Sequence, residues 1–151
     1  MELTVVLVIL LIILTLVTVL VNPIGKIKEA RDKTRLSNIM TIDRAVNEFL
    51  LDNKRYPDQL DVLRTSNTLP SGSIDLTRSN LGWIYDDLSR YTPNLPIDPI
   101  NDSVYYYSYI HNDTGYEINA ILESQFDLMS DDGGNDANSY EVGNNLNLIS
   151  P

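Results

Sequence analysis

From Leu3 to Val21 the chain runs 19 residues without a charge, almost all Leu, Val and Ile. No other feature narrows the possibilities as much. As a helix the run is about 28 Å long at ~1.5 Å per residue, close to the hydrocarbon thickness of a bilayer. Thr4, Thr15 and Thr18 can bond back to their own helix and so tolerate an apolar setting. A secretory signal peptide fits poorly, because the apolar run is too long and no small-residue cleavage site follows it. A plain membrane anchor and a helix that packs against other apolar helices both remain open.

Glu2 and the continuation of the chain argue for the second. A carboxylate at the start of an apolar helix sits well at the positive end of the helix dipole. Inside lipid or a bundle it needs a partner, and a neighbouring subunit's N-terminal amine would serve. No linker follows the apolar run. Asn22-Pro23 and Gly25 mark a weak point, and helical periodicity then resumes through Ile27, Ala30, Thr34 or Arg31, Ile39, Ile42, Ala45, Val46, Phe49 and Leu50. One long helix to about residue 53 is expected. Its residues 3–21 would be apolar all round; beyond them, after a kink at Pro23, one stripe would lie on a head.

In the head, Tyr56-Pro57 closes the helix, and residues 54–103 read as a connecting region. Within it Asp58 to Arg64 form a helical turn with Leu60 and Leu63 inward, Thr65 to Leu81 a loop, and Trp83 to Tyr91 a second short helix or turn. Residues 104–151 carry the strand signals: Val104 to Ile110, the turn Asn112-Asp113-Thr114-Gly115, and the alternating segment Tyr116 to Leu122 make a hairpin. Tyr140 to Val142 and Leu146 to Ile149 add short strands. The fold class is therefore α+β, a long N-terminal helix packed on a small antiparallel sheet within the head, residues 54–151.

Charge is distributed as unevenly as hydrophobicity. The formal net charge is −10. Lys26, Lys28, Arg31, Lys33 and Arg35 crowd just after the apolar run, whereas Tyr91 to Pro151 contains ten acidic residues and no Lys or Arg. Nucleic-acid binding by the isolated head is excluded on that ground. There is no cysteine, which excludes disulfides and thiolate metal sites. The single histidine, His111, stands at a strand end and reads as an exposed turn residue. Without a Cys-His pair, a nucleophile-elbow serine or a Gly-rich phosphate loop, no residue set for catalysis emerges. The tyrosines at 105, 106, 107 and 109 either form a stacking platform or alternate between core and surface of one strand. The Asn101 and Asn112 triplets match the glycosylation pattern and are treated as unused.

The segment Glu2 to Leu11 resembles the N-terminal helix of bacterial type IV pilins and type II secretion pseudopilins. Asn22-Pro23, Lys28 to Asp32, Arg35, Asp52-Asn53 and Tyr56-Pro57 look like its continuation in one pilin subgroup. Leu95 to Pro99, Tyr105 to Tyr107 and Asp131 to Asp136 are similar to the major-pseudopilin head. The resemblance covers nearly the whole chain. Family members usually carry three more residues ahead of the position of Met1, and no basic leader precedes Glu2.

The resemblance implies a structural filament subunit rather than an enzyme. The precursor would wait in the inner membrane, meet a prepilin peptidase and an assembly machinery, and polymerise with identical copies. Glu2, Asn22, Pro23 and Gly25 would be the assembly residues. It also implies calcium at Asp131, Asp132, Asn135 and Asp136, a segment that otherwise reads as a solvated acidic turn. A surface filament is preferred over a secretion pseudopilus, because the last 50 residues follow the major-pseudopilin pattern loosely. A singly anchored surface binding protein is the remaining alternative.

Overall fold

A computed structural model describes the backbone of residues 2–151 and the side chains of 3–17 and 22–151. Helix α1 is Glu2–Val21 and helix α2 is Pro23–Asn53. The two are separated by Asn22, whose backbone is left-handed at φ 42°. Proline has no amide to donate to the preceding turn, so a helix cannot pass residue 23 without a lost bond. The chain starts a new helix there. Asn22 is its N-cap, its Oδ1 accepting from the Gly25 amide at 3.2 Å, and Pro23 sits in the first turn, where the missing donor costs nothing. The single long helix expected from the sequence is thus two helices with a capped joint. α2 ends at Lys54, whose left-handed backbone donates its amide to the Leu50 carbonyl.

Four strands form one antiparallel sheet in the order β1-β2-β3-β4: Arg64–Thr65, Tyr107–Asn112, Gly115–Ala120 and Tyr140–Gly143. The hairpin β2–β3 turns at Asn112-Asp113-Thr114-Gly115 as the sequence indicates, with Asn112 Oδ1 accepting from the Thr114 and Gly115 amides. A short helix α3, Phe126–Ser130, leads from β3 towards β4. Residues 146–149, expected as a strand, pair with none of the described strands, and no helix forms over 58–64 or 83–91. Leu60 and Leu63 are exposed rather than inward.

The core lies between one face of α2 and one face of the sheet. Ile39, Ile42, Val46 and Phe49 meet Tyr107, Tyr109, Tyr116, Ile118 and Ala120, with Trp83, Ile84, Leu88 and Leu95 folded over them. The buried tyrosines keep their hydroxyls bonded: Tyr107 accepts from Asn38, Tyr116 from Asn47, and Tyr109 donates to the Pro57 carbonyl. Tyr107 and Tyr109 are therefore core side chains, and the stacking-platform reading does not hold for them. His111 is buried as well, contrary to expectation, because its strand runs two residues further than the pattern indicated. Its ring lies beside Tyr56 and Tyr109.

Candidate functional site

The chain presents three places with more than packing to explain: the apolar helix, an ionic junction that joins α2 to the head, and the acidic segment after α3. All described α1 side chains from Leu3 to Val17 are exposed, the large aliphatic ones at 49–79%. A helix apolar on every face must be covered by something outside its own chain. Thr15 donates its hydroxyl to the Leu11 and Ile12 carbonyls, so its polarity is satisfied internally. Among the described residues no helix is long and apolar enough to cross a membrane. The described side chains of α1 stop at Val17, short of the ~20 residues that a bilayer requires. The side chain of Glu2 lies outside the described residues.

At the joint, Asn22, Pro23 and Gly25 come together as a capping motif. A Cβ on Gly25 would fall 2.5 Å from Nδ2 of the Asn22 side chain whose Oδ1 makes the cap, so the glycine makes room for the cap.

The ionic junction was not anticipated. Its Arg35 is fully buried and surrounded by three carboxylates. Its Nε and Nη2 hold Asp98 in a fork at 2.6 and 3.1 Å, while Nη1 reaches Asp32 at 2.9 Å and Glu123 at 2.7 Å. Arg31 grips Glu123 from the rim with two bonds of 2.6 and 2.5 Å. Asp32 in turn accepts from the amides of Glu123, Ser124 and Gln125 and from the Ser124 hydroxyl. Burial alone would raise the Asp32 pKa, but these donors and Arg35 outweigh it and hold it below the usual carboxylate range. The Arg31 fork, against the cost of burial, brings Glu123 down to about 2. Arg35 is driven upward, its carboxylates outweighing the burial that opposes its charge. The result is that the turn 123–125 and the 98–101 turn are both bolted to α2 by charge. The sequence signal was present: Asp32 and Arg35 extend the buried stripe of Ile39, Ile42, Val46 and Phe49 at spacings of three and four. The expected positions Ile27, Ala30 and Thr34 lie off that stripe.

The acidic segment is built differently. Asp132 accepts from the Gly134 and Glu141 amides, and Asp136 from the Asn138 amide and Ser139 hydroxyl. Asp131 and Asn135 are exposed. Among the described residues no group of three or more His, Asp or Glu side chains is placed to hold a metal ion. Behind the loop, Glu117 and Glu141 are buried carboxylates, each with one oxygen lacking a hydrogen-bond partner. Burial and the neighbouring Glu117, opposed only by the Asp136 amide, push Glu141 up to about 7.

A family model for type II secretion system protein G matches residues 22–144, which span α2, the ionic junction and the acidic segment. The chain belongs to this pseudopilin family. The α+β arrangement of helix and four-stranded sheet is the pilin fold. Among curated proteins and among solved structures nothing matches the chain. The family is one of structural subunits rather than enzymes. The ionic junction holds the 98–101 and 123–125 turns of the head on α2.

Proposed function

We propose that this pseudopilin is the repeating subunit of a helical filament, polymerising through the apolar helix α1 with the heads outward. The observation that carries the reading is α1 itself: its described side chains, Leu3 to Val17, are exposed on all sides, and among the described residues nothing in the head covers them. Before assembly the same helix would rest in the inner membrane, with Glu2 and a neighbour's amine balancing charge on assembly. Processing by a prepilin peptidase and handling by an assembly machinery follow from the family resemblance. The family match is as consistent with a short secretion pseudopilus as with a surface pilus. The test separates them.

Cells producing the full chain are sheared, and the released material is imaged by negative stain and analysed by mass spectrometry. Thin uniform filaments containing this chain at ordinary expression support a surface pilus. Filaments that appear only on overproduction support the pseudopilus. A monomer retained in the membrane under both conditions refutes polymerisation and leaves an anchored binding protein.

A further inference from the structure

We infer that the neck of the molecule, where α2 begins, binds the anionic phospholipid headgroups of the bilayer that holds α1 before assembly. The inference rests on the membrane step of the reading above. Lys26, Lys28 and Lys33 stand within about 18 Å of the end of the apolar run, at ~1.5 Å per residue. Successive residues of a helix are turned by about 100°, so Lys26 and Lys33 share one side and Lys28 lies on the other. Lys28 stands seven residues before Arg35, on the side that carries the head, and is half-exposed. A partner on one flank meets only part of this collar, whereas a plane pierced by the helix meets all of it. Side chains lean towards the N-terminus of their helix, so each ammonium is carried back towards α1.

The collar has positive charge to spare. Lys26 and Lys33 both bind Glu29 at 2.9 Å, two cations on one carboxylate, and among the described residues no ion pair reaches Lys28. The other cations of the stretch, Arg31 and Arg35, are held in the ionic junction. Residues 54–151 carry fifteen acidic and five basic side chains, so an anionic surface that attracts the neck repels the head and confines the contact to the collar. Large apolar side chains stand exposed among the lysines: Ile24 at 70% and Ile27 at 53% on α2, and Phe126 at 61% beside Gln125. Cations interleaved with exposed aliphatic and aromatic side chains suit the boundary between headgroups and acyl chains.

One headgroup has a place prepared for it. A groove of about 470 Å³ opens between α2 and the 123–125 turn, lined by Asn22, Lys26, Glu29, Lys33, Ser124 and Gln125. Its far wall is fixed, because Asp32 accepts from the Glu123 and Ser124 amides. The groove reaches the Asn22 joint, so a lipid whose chains lie along α1 would bring its phosphate to the two lysines. Such contacts are screened by salt. They would orient the head upright on the membrane while α1 supplies the attachment.

The test uses the full chain reconstituted in bilayers of equal parts phosphatidylcholine and phosphatidylglycerol. Native mass spectrometry counts the lipids that stay on the released protein. The wild type is expected to retain phosphatidylglycerol over phosphatidylcholine by about tenfold. Lys26→Gln, Lys28→Gln and Lys33→Gln together are expected to bring the two lipids to parity. None of the three lysines takes part in the core or the ionic junction, so the head should keep its unfolding midpoint. Lys28→Glu alone should lower the preference about fivefold, and it keeps the test decisive if the triple variant fails to fold. Equal retention of the two lipids by the wild type, or a preference that survives the substitutions, would overturn the collar. Glycerol phosphate added to a pure phosphatidylcholine bilayer separates lipid from free phosphate: adducts as abundant as the retained phosphatidylglycerol would overturn it in favour of a soluble anion. A chain that does not enter the bilayer at all fails the membrane reading itself, whereas one that enters without lipid preference fails only the collar.

Discussion

Two of the places where the head buries carboxylates, the α2 junction and the space behind the acidic segment, are handled in opposite ways. At the α2 junction two arginines face three carboxylates, and Asp32 and Asp98 also accept backbone amides. Behind the acidic segment Glu117 and Glu141 share a buried space with no cation among the described residues. There Glu117 receives the amides of Leu148 and Ile149 on one oxygen and leaves the other bare. The difference teaches that burial by itself does not fix the cost of a charge. A carboxylate with matched donors is held ionised far into acid, and one buried without a cation and facing another carboxylate is pushed towards its neutral form.

The largest effect comes from breaking the balance of the first cluster. Arg35→Met leaves Asp32, Asp98 and Glu123 buried against one rim arginine, and should cost about 4 kcal/mol in denaturant unfolding. A loss under ~1 kcal/mol would mean that the backbone donors alone carry the carboxylates. Acid should reach the same cluster by another route. The Glu123 pKa lies near 2 in the folded chain, against 4.5 as the reference. Its contribution is complete above pH 4.5 and fades as pH falls towards 2, a loss of roughly 3 kcal/mol, read as a falling thermal midpoint over that window.

The second cluster should respond with the opposite sign. Glu141 is raised from 4.5 to about 7, so the fold favours its protonated form, and stability declines as pH rises between those values. Glu141→Gln keeps an oxygen for the Asp136 amide and removes the charge. The variant should be more stable than the parent at pH 8, by about 1–2 kcal/mol, and equal to it near pH 4. An advantage independent of pH would show that ionisation of the buried Glu141 is not the cause. The smallest effect belongs to a third arrangement, Glu29 between Lys26 and Lys33 on the exposed face of α2. Those cations hold the Glu29 pKa down at about 2, yet Glu29→Gln should leave the thermal midpoint unchanged, because water screens the pairs. A clear drop would place the exposed strip among the structural elements of the monomer.

These contrasts also explain what the residues disclosed on their own. The apolar run, the stripe from Ile39 to Phe49 and the hairpin turn at Asn112 to Gly115 were legible because each is a local pattern of period or turn chemistry. The break at Asn22 was half legible: Pro23 announced it, but the recapping by Asn22 that turns a weak point into a helix start depends on one side-chain rotamer. His111 was misread because strand ends are set by pairing partners, and Leu60 and Leu63 because the spacing of two leucines does not show whether a helix forms. Asp32 and Arg35 stood on the buried stripe, yet their partners Asp98 and Glu123 lie far along the chain, and polar residues on a stripe are ordinarily read as its edge. The Glu117–Glu141 contact arises only from the β3–β4 register.

The claim on which the account rests is that α1 is covered by other copies of itself. Cryo-electron microscopy of filaments sheared from cells producing the full chain tests it most directly. The account predicts a core of α1 helices, heads outside, and α2 joined to each through a bend at Asn22. A map in which α1 lies outside the core, or preparations in which the chain is found only as a membrane-bound monomer, would contradict it.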